Sequence, residues 1–593
     1  MSRVVQVRSG DTRDAAGHRC DASPPLRETD VPVRRRSGTA RRSGADLLVA
    51  EPGTVGTSAA GADRTGAGGD GAVPGGPRTV GGAGQRRPGD AGRPAQTAQL
   101  TETFAAADAL YGALVGFLDG ADAAGLTHEQ LEARLDRDGR TLLRQLLQDH
   151  LDLRARREER RADVVDAQGR AHHAVEAGHC RGLETVFGRV TVARLAYRAK
   201  GAANLHLADA ALNLPAERHS HGLRRLAAIE ATRGSYEEAA AAIERQTGVR
   251  VGKRQVEALA ANCAVDFEAF YQTRKRPFAE AGQTILMTVD GKGVVMRPEA
   301  LRSPTAKAAA RSKNKLKGRL SKGEKANRKR MAEVGAVYTV VPVSRTPDDV
   351  MAHRSGTSTP QSAPTAADKW VTASVVDDAA AVIADVFDQA ALRDPGQARD
   401  WVALVDGNRH QIDRITTEAK TRDVTVTIVC DWVHVLEYIW SAAWSFFTEG
   451  DPAAEDWVQH KALEVLRGKA SIVAAAIRRK ATTLRLTPAD RKNADTCANY
   501  LLAKAPYLDY PTALAKGWPI ATGVIEGACR HLVKDRMDIT GARWGLPGAE
   551  TILKLRAIRT NGDWDAYWAF HLMGSTRPCW TTWQRLVLVA AGR

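Results

Sequence analysis

The sequence predicts a multidomain α/β protein, in which a mixed sheet with flanking helices is interrupted by an all-helical insertion and preceded by a mostly helical region. The chain has 593 residues, which is well beyond the size of one ordinary domain. Short apolar segments typical of strands fall between residues 283 and 431, and helical periodicity occurs on both sides of them. These observations together favour several structural units around one sheet domain.

The charge balance favours a polyanionic partner. The 85 Lys and Arg residues outnumber the 69 Asp and Glu residues, so the formal net charge is +16. Nucleic acid is the first expected partner, and an anionic membrane surface is the second. No stretch reaches the about 20 apolar residues of a spanning helix, so no membrane crossing is expected. The first 50 residues lack the apolar segment of a signal peptide, and the expected location is the cytoplasm.

The N-terminal part of the chain divides in two by composition. Residues 1–96 are rich in Gly, Ala, Arg, Ser and Pro and are expected to be disordered. Residues 97–282 form the mostly helical region, because leucines recur there at helical spacing up to about residue 163. Within it, residues 184–196 alternate like a short hairpin. The seven cysteines of the chain include no Cys-x-x-Cys pair, which argues against a disulfide framework and a structural zinc cluster.

Two short helices are predicted within residues 235–263. Ser235 caps the first helix, and a glycine-containing turn leads to a second helix that begins near Lys253. Arg250, Lys253 and Arg254 stand at the start of that second helix, as in a helix-turn-helix DNA reader. A helical hairpin that only packs in a bundle has the same pattern, so both interpretations stay open.

The sheet domain is predicted in two parts. The first part, residues 283–431, holds strands at residues 284–289, 336–341, 401–405 and 424–429, with a helix at about residues 378–391. Residues 432–515 are helical and form the insertion. The last part of the domain is residues 516–562, and residues 563–593 are an apolar C-terminal tail.

Carboxylates follow two of these strands and one predicted helix carries a third. Asp290 and Asp406 each stand in a Val-Asp-Gly sequence at a strand end, which is the edge where α/β sheets build sites. Glu526 lies among apolar and small residues, between Gly523 and Gly527. Two Asp and one Glu are the hard oxygen ligands that a pair of Mg²⁺ ions needs for phosphodiester chemistry. The alternative is that each Asp-Gly only turns a hairpin.

A second acidic position follows the last strand directly. In Cys430-Asp431-Trp432-Val433-His434, the spacing puts Asp431 and His434 on one face of a first helical turn. Asp431 can equally be the cap of that helix and His434 a packing residue. A metal site with Cys430 lacks partners at zinc spacing.

Basic residues surround these positions in the sequence. Arg530, Lys534 and Arg543 follow Glu526, and they either contact phosphates or form a solvated helix face. A dense basic run lies between the first two strands, and it is expected to be a mobile loop that either binds phosphates or stays solvated. Its candidate DNA-binding residues are Lys313, Lys315, Lys317 and Arg319.

Several segments, in this order, resemble the bacterial DDE insertion-sequence transposases of the ISKra type, which are relatives of the Mutator-like transposases. The resemblance spans residues 186–564, and its strength lies in the joint order of the segments. They are Phe187-Gly188-Arg189-Val190, Leu212-Asn213-Leu214-Pro215, Gly234-Ser235-Tyr236-Glu237-Glu238-Ala239-Ala240, Val289-Asp290-Gly291-Lys292-Gly293, Val405-Asp406-Gly407, Cys430-Asp431-Trp432-Val433-His434, Gly523-Val524-Ile525-Glu526-Gly527 and Arg543-Trp544.

The resemblance implies an RNase H-like catalytic core in which Asp290, Asp406 and Glu526 bind two divalent ions, Mg²⁺ or Mn²⁺ as a substitute. It also implies an accessory role for Asp431 and His434. Asp431 remains an alternative to Asp406 as the second ligand, with Asp406 preferred.

The implied activity is DNA transposition, in which the protein binds terminal inverted repeats, cleaves a strand and transfers it to target DNA. The implied partners are those DNAs and further copies of the chain, in a homodimer or larger assembly associated with the nucleoid. Two other functions stay open. One is an RNase H-like nuclease without strand transfer, and the other is a catalytically silent DNA-binding protein derived from a transposase.

Overall fold

The computed structural model describes residues 102–311, 328–355, 361–539 and 541–574. All of them belong to one compact unit that spans Arg87–Arg593. The expected disorder of residues 1–96 and the candidate residues Lys313, Lys315, Lys317 and Arg319 lie outside the described residues. Most of the C-terminal tail lies outside them too.

The N-terminal region is a helical hairpin packed on a β-hairpin. Helix α3 starts with a capping box at Thr127 and lays its C-terminal half on strand β2, where leucines and valines form a small core. The β-hairpin predicted at residues 184–196 is present but longer, because its strands extend the antiparallel pairing. The elements are α1 (Ala105–Asp119), α2 (Ala121–Ala124), α3 (His128–Arg156), β1 (Ala174–Thr185), β2 (Gly188–Arg198) and α4 (Leu207–Ala211).

Four helices then lead to the sheet: α5 (His221–Arg233), α6 (Tyr236–Thr247), α7 (Lys253–Asn262) and α8 (Phe267–Thr273). The two helices predicted within residues 235–263 are confirmed as α6 and α7. Ser235 caps α6 in a capping box, and Gly248 ends α6 with a left-handed φ of 70°.

The central sheet has five strands in the order β5-β4-β3-β6-β7. Strand β4 runs antiparallel to both β3 and β5, while β3, β6 and β7 run parallel. The sheet is therefore mixed, as predicted. The strands are β3 (Thr284–Val295), β4 (Lys329–Val340), β5 (Ala366–Ser374), β6 (Trp401–Val405) and β7 (Val426–Cys430).

The structure corrects three of the strand predictions. Strand β4 begins at Lys329 instead of at residue 336. Strand β5 is absent from the prediction, which placed only four strands in this region. Strand β3 does not end before Asp290 but continues to Val295, because β4 pairs with it along its full length, as far as Val295 opposite Lys329. Asp290 therefore lies within a strand, at the point where β3 passes the end of its other neighbour, β6.

Helices fill the connections and cover the sheet. The insertion, residues 432–515, contains α13 to α17, and its buried residues pack on Leu286, Leu404 and Val429 of the sheet. A second, larger cluster joins α5 to α8 and α11 to the sheet. The connecting helices are α9 (Ser303–Arg311), α10 (Pro347–Ser355), α11 (Ala379–Arg393) and α12 (Arg409–Thr421); the insertion helices are α13 (Trp432–Ala443), α14 (Pro452–Leu466), α15 (Ala470–Thr483), α16 (Lys492–Lys504) and α17 (Tyr510–Ala515).

After the insertion the chain returns to the sheet. Helix α18 (Gly523–Ala528) runs into a π-helix at Cys529–Lys534 and then into α19 (Asp535–Met537). Both α18 and the π-helix contact β3. Helix α20 (Leu546–Thr560) packs on β5, α5 and α7, and residues 564–574 are helical.

Candidate active site

Three aspartates stand in one row across the parallel strands. Thr288 of β3 is the register partner of Leu404, which is in turn the partner of Val429 in β7. Two residues further along lie Asp290, which is still within β3, and Asp406 and Asp431, which each directly follow their strand. Alternate residues of a strand share a face and neighbouring strands lie about 4.8 Å apart, so the three side chains start from adjacent positions on the face that carries the insertion.

Asp290 is half-buried and held from two sides. Its Oδ1 accepts a hydrogen bond from the Gly291 N–H at 2.7 Å. Its Oδ2 accepts one from the Cys529 Sγ of the π-helix at 3.2 Å. Burial and the nearby Asp290 raise the pKa of Cys529, so the thiol keeps its proton and acts as the donor. The π-helix thus makes direct contact with the first aspartate.

Asp406 is also half-buried, at the turn that follows β6. Its Oδ1 accepts a hydrogen bond from the Asn408 N–H at 2.7 Å. Burial raises the pKa of Asp406, and the negative charges of Asp290 and Asp431 act in the same direction. A carboxyl group whose ionisation is disfavoured by neighbouring negative charges is a place where a cation binds favourably.

Glu526 projects from α18 and is solvent-exposed. Partial burial of its carboxyl group raises its pKa, and the charges of Asp431, Glu437 and Asp290 add to this effect. Its helix turns into the π-helix three residues later, so that Cys529 contacts Asp290 from the same segment. Short π-helical segments occur frequently at functional sites.

The described carboxylates share one edge without yet forming a ligand shell. Among the residues that the structure describes, no three His, Cys, Asp or Glu side chains are grouped closely enough to hold one metal ion. The donor set nevertheless fits divalent ions, because all three groups are hard carboxylate oxygens and the charge of Asp290 raises the pKa of both Asp406 and Glu526. The exposed Glu526 side chain has the freedom to turn towards such an ion.

Asp431 differs from the other two aspartates because it is completely buried. Its Oδ1 accepts the Val433 N–H at 2.8 Å and so caps α13. Its Oδ2 accepts the hydroxyl of Thr522, at the start of α18, and lies 3.8 Å from His434 Nδ1. With both oxygens occupied inside the protein, Asp431 ties β7, α13 and α18 together. The choice of Asp406 over Asp431 as the second ligand stays a prediction.

The pKa of His434 is strongly raised. Its contact with Asp431 raises its pKa to about 9, although burial acts in the opposite direction. Glu437 and Asp406 also favour the charged imidazole. At neutral pH His434 is therefore a cation beside the acidic row.

Asp431→Asn is expected to lower the pKa of His434 from about 9 towards its ordinary value of 6.5. The stabilisation from protonated His434 is full below about pH 6.5 and is lost as the pH rises through about 9. The difference in unfolding midpoint between the parent and His434→Gln should therefore shrink over that window. Histidine NMR titration gives the pKa, with the His434 signal assigned from His434→Gln.

The matched control is Asp451→Asn, which alters another aspartate N-cap, that of α14. It should leave the titration of His434 unchanged. An unchanged His434 pKa in Asp431→Asn would show that Asp431 is not the cause of the raised His434 pKa.

The candidate DNA-binding residues lie in two exposed groups. Arg530, Lys534 and Arg543 are exposed and follow Glu526, and Arg530 is only loosely paired with Asp535 at 3.8 Å. The second group, at the start of α7, is also exposed: it contains Arg250, Lys253 and Arg254, and Arg250 pairs with Glu244.

The two groups belong to neighbouring parts of the fold. Trp544 packs edge-on against Tyr236 of α6, and the buried Arg536 lies over both rings. The helices that resemble a DNA reader therefore contact the segment that continues from the Glu526 helix.

Sequence reasoning missed three residues that contact the acidic row: Cys529, Thr522 and Tyr500. The Tyr500 hydroxyl reaches the Asp406 carbonyl oxygen at 3.2 Å. Cys529 and Thr522 lie close to Glu526 in the sequence, and this closeness is the signal that could have identified them as site residues. Nothing in the sequence around Tyr500 points to the site, because the contact bridges 94 positions of the chain.

Over the described part of the chain, no helix combines the length and apolar character that crossing a membrane requires. Comparison of the sequence with protein-family models and with curated proteins finds no match.

Proposed function

We propose that this protein is a DNA transposase that binds the terminal inverted repeats of an insertion sequence, cleaves a strand and transfers it to target DNA. The observation that carries the proposal is the acidic edge itself. Asp290 and Asp406 occupy matching positions of adjacent parallel strands, and Glu526 comes from a helix that packs beside them. The family resemblance of the sequence supports the same function.

The topology supports an RNase H-like catalytic core. Strands β3, β4 and β5 come first, with the short helices α9 and α10 in their connections. A helix, a strand, a helix and a last strand follow, and β4 is antiparallel to both of its neighbours. The spatial order β5-β4-β3-β6-β7 puts the first strand of the domain at the centre. This connectivity supports an RNase H-like core, in which the helical insertion separates the last helical part from the strands along the sequence, while α18 packs on β3.

In this proposal Asp290, Asp406 and Glu526 hold two divalent ions, Mg²⁺ or Mn²⁺. When bound, such ions lower the pKa of water and neutralise charge on the leaving oxygen. Asp290 is oriented by Gly291 and Cys529, and Asp406 is oriented by Asn408. These contacts hold two of the three carboxylates in place before DNA arrives, and Glu526 completes the set from helix α18, which contacts β3.

Protonated His434 has an accessory role in the same reaction. It stands beside the acidic row with a pKa raised to about 9, so it keeps a positive charge at neutral pH. A cation there favours the approach of a phosphate to a site that is otherwise negative. Asp431 holds the imidazole in this place.

The proposed partners are terminal and target DNA, and the proposed location is the cytoplasm, at the nucleoid. The net charge of +16 favours binding to the DNA backbone. Since two element ends must be joined to one target, the working assembly is a dimer or a larger oligomer.

The test incubates the purified chain and Mg²⁺ with a labelled duplex that ends in the terminus of the encoding element, plus an unlabelled target plasmid. The proposal predicts a free 3′-hydroxyl at the element end and then labelled plasmid. Cleavage without joining would mean that the protein is a nuclease without strand transfer. Binding without cleavage in Mg²⁺ or Mn²⁺ would mean that the protein is a catalytically silent DNA-binding protein.

Arg530→Ala and Lys534→Ala are expected to weaken binding to duplexes of any sequence. Each lost phosphate contact should lower the slope of log affinity against log salt by about 1. Fluorescence anisotropy at several salt concentrations measures this slope. Lys420→Ala is the control, because Lys420 is exposed at the end of α12, which returns towards the opposite edge of the sheet. Equal slopes in all three variants would remove Arg530 and Lys534 from the DNA interface.

A further inference from the structure

The helical insertion reaches the acidic row through two tyrosines. Tyr500, on α16, donates its hydroxyl to the main-chain carbonyl oxygen of Asp406 at 3.2 Å. Tyr510, at the start of α17, donates to the carbonyl oxygen of Cys430 at 2.9 Å. Each hydroxyl therefore binds the backbone at the end of one parallel strand, β6 or β7.

The backbone at Gly407 is shaped around Tyr500. Gly407 has a φ of 91°, which side chains other than glycine rarely adopt. A Cβ atom built there would lie 2.8 Å from the Tyr500 hydroxyl oxygen and 3.3 Å from its ring. The turn after Asp406 thus leaves a space that the tyrosine ring fills.

Tyr500 is itself held in place. Its ring stacks on that of Tyr438, with centroids 4.0 Å apart and planes within 18°. Tyr438 belongs to α13, which Asp431 caps. The Tyr500 hydroxyl also lies beside the thiol of Cys430, the last residue of β7. Two helices of the insertion and two strand ends consequently meet at this one ring.

We infer that Tyr500 is a positioning residue, through which the helical insertion sets the direction of the Asp406 carboxylate. The inference rests on the proposed function, since it assigns the ring to the cation-binding edge of that same site. The hydroxyl fixes the Asp406 carbonyl, and the ring blocks the turn at Gly407 from moving inwards. The Asp406 side chain, which belongs to the residue that carries this carbonyl, then keeps one orientation.

The test measures Mn²⁺ binding to the full chain without DNA, by the electron paramagnetic resonance signal of the free ion. Tyr500→Phe keeps the stacked ring and removes only the hydroxyl. Because a group that orients a ligand typically changes metal affinity by 10-fold to 100-fold, about tenfold weaker binding is expected. Asp406→Asn should weaken binding at least as much. Strand cleavage by Tyr500→Phe should recover at high Mn²⁺.

The matched control is Tyr567→Phe. Tyr567 is buried, and its hydroxyl donates to the Cys263 carbonyl oxygen at 2.7 Å, in the part of the core formed by α5 to α8. This change removes the same kind of hydrogen bond away from the acidic row. It should lower the melting temperature about as much as Tyr500→Phe while leaving Mn²⁺ affinity unchanged.

A second variant tests the geometry independently. Gly407→Ala places a methyl group against the Tyr500 hydroxyl and should also weaken Mn²⁺ binding. Adding Tyr500→Phe removes the closest contact, so the double variant should lose less affinity than the two single losses combined. Strictly additive losses would overturn the inference.

The outcomes separate this inference from the proposed function. If Asp406→Asn loses Mn²⁺ and cleavage while Tyr500→Phe matches the parent in both, the positioning role is overturned and the transposase proposal stands. If the parent binds Mn²⁺ through Asp406 but never cuts DNA, the transposase proposal falls and weaker binding by Tyr500→Phe still supports the positioning role. A parent that neither binds Mn²⁺ nor cuts overturns both.

Discussion

Asp290→Asn, Asp406→Asn and Glu526→Gln are each expected to lower strand cleavage and joining about a thousandfold, with DNA binding retained. Each change replaces a charged oxygen ligand by a neutral amide of the same shape. Losing several kcal/mol of charge stabilisation in the transition state corresponds to a rate loss of that size. The measurement is the initial rate on the labelled terminal duplex in Mg²⁺, with affinity for the same duplex measured in parallel.

Asp400→Asn is the matched control for these variants. Asp400 directly precedes β6, at the opposite end of the strand from Asp406, and is exposed beside Lys516. The substitution changes the net charge by the same amount without touching the acidic edge, so activity should stay within about twofold. Loss of activity in Asp400→Asn would mean that net charge, rather than ligation, explains the other three variants.

Asp431→Asn separates the two candidates for the second ligand. If Asp406 is the ligand, Asp431→Asn should lower cleavage at neutral pH far less than Asp406→Asn does, and the loss should shrink as the pH falls and His434 regains its proton. If Asp431→Asn is inactive and Asp406→Asn is active, the second ligand is Asp431. That result would require the contacts of Asp431 with Thr522 and Val433 to open before the ion binds.

Asp563→Ala is expected to lower the free energy of unfolding by about 3–5 kcal/mol, the cost of removing one partner from a buried ion pair. Asp563 is 2% exposed and accepts hydrogen bonds from Arg274 at 2.7 Å, Arg276 at 2.8 Å and the Tyr271 hydroxyl at 3.1 Å. The Arg276 side chain is only 7% exposed, so its charge would remain inside without a carboxylate partner. Urea unfolding followed by circular dichroism measures the change.

The control for this variant lies two residues away. Asp565 pairs with Arg225, but its side chain is 86% exposed. Solvent screens such a pair, so Asp565→Ala should change stability by less than about 1 kcal/mol. Similar losses in the two variants would mean that the position in the C-terminal helix, rather than the buried charge cluster, determines stability. The cluster matters for the site because it fastens the segment before β3 to the end of α20.

The sequence predicts best where one segment carries its own signal. Strand β6 is confirmed at Trp401–Val405, because its five apolar residues are buried on both faces. Strand β5, which the prediction missed, reads Ala-Ala-Asp-Lys-Trp-Val-Thr-Ala-Ser, and its first half has little strand propensity. It forms a strand because β4 offers an antiparallel partner along that edge.

The same reason explains the extension of β3. Asp290-Gly291-Lys292-Gly293 has the composition of a turn, and the Asp-Gly pair favoured a strand end there. Residue-by-residue pairing with β4 keeps this segment extended as far as Val295. Pairing with β4 outweighed the local turn propensity of this segment, and the sequence pattern alone could not predict that pairing.

The sequence by itself determined most of the helices and strands and which acidic residues accompany them, since hydrophobic period, helix caps and Asp-Gly sequences are local properties. Only the tertiary structure decided the register that sets Asp290, Asp406 and Asp431 side by side, the burial that separates Asp431 from Asp406, and the contact of Cys529 with a carboxylate 239 positions away. The seating of Tyr500 against Gly407 belongs to the same group. Such contacts depend on how whole helices and strands pack, and packing joins residues with no shared local pattern.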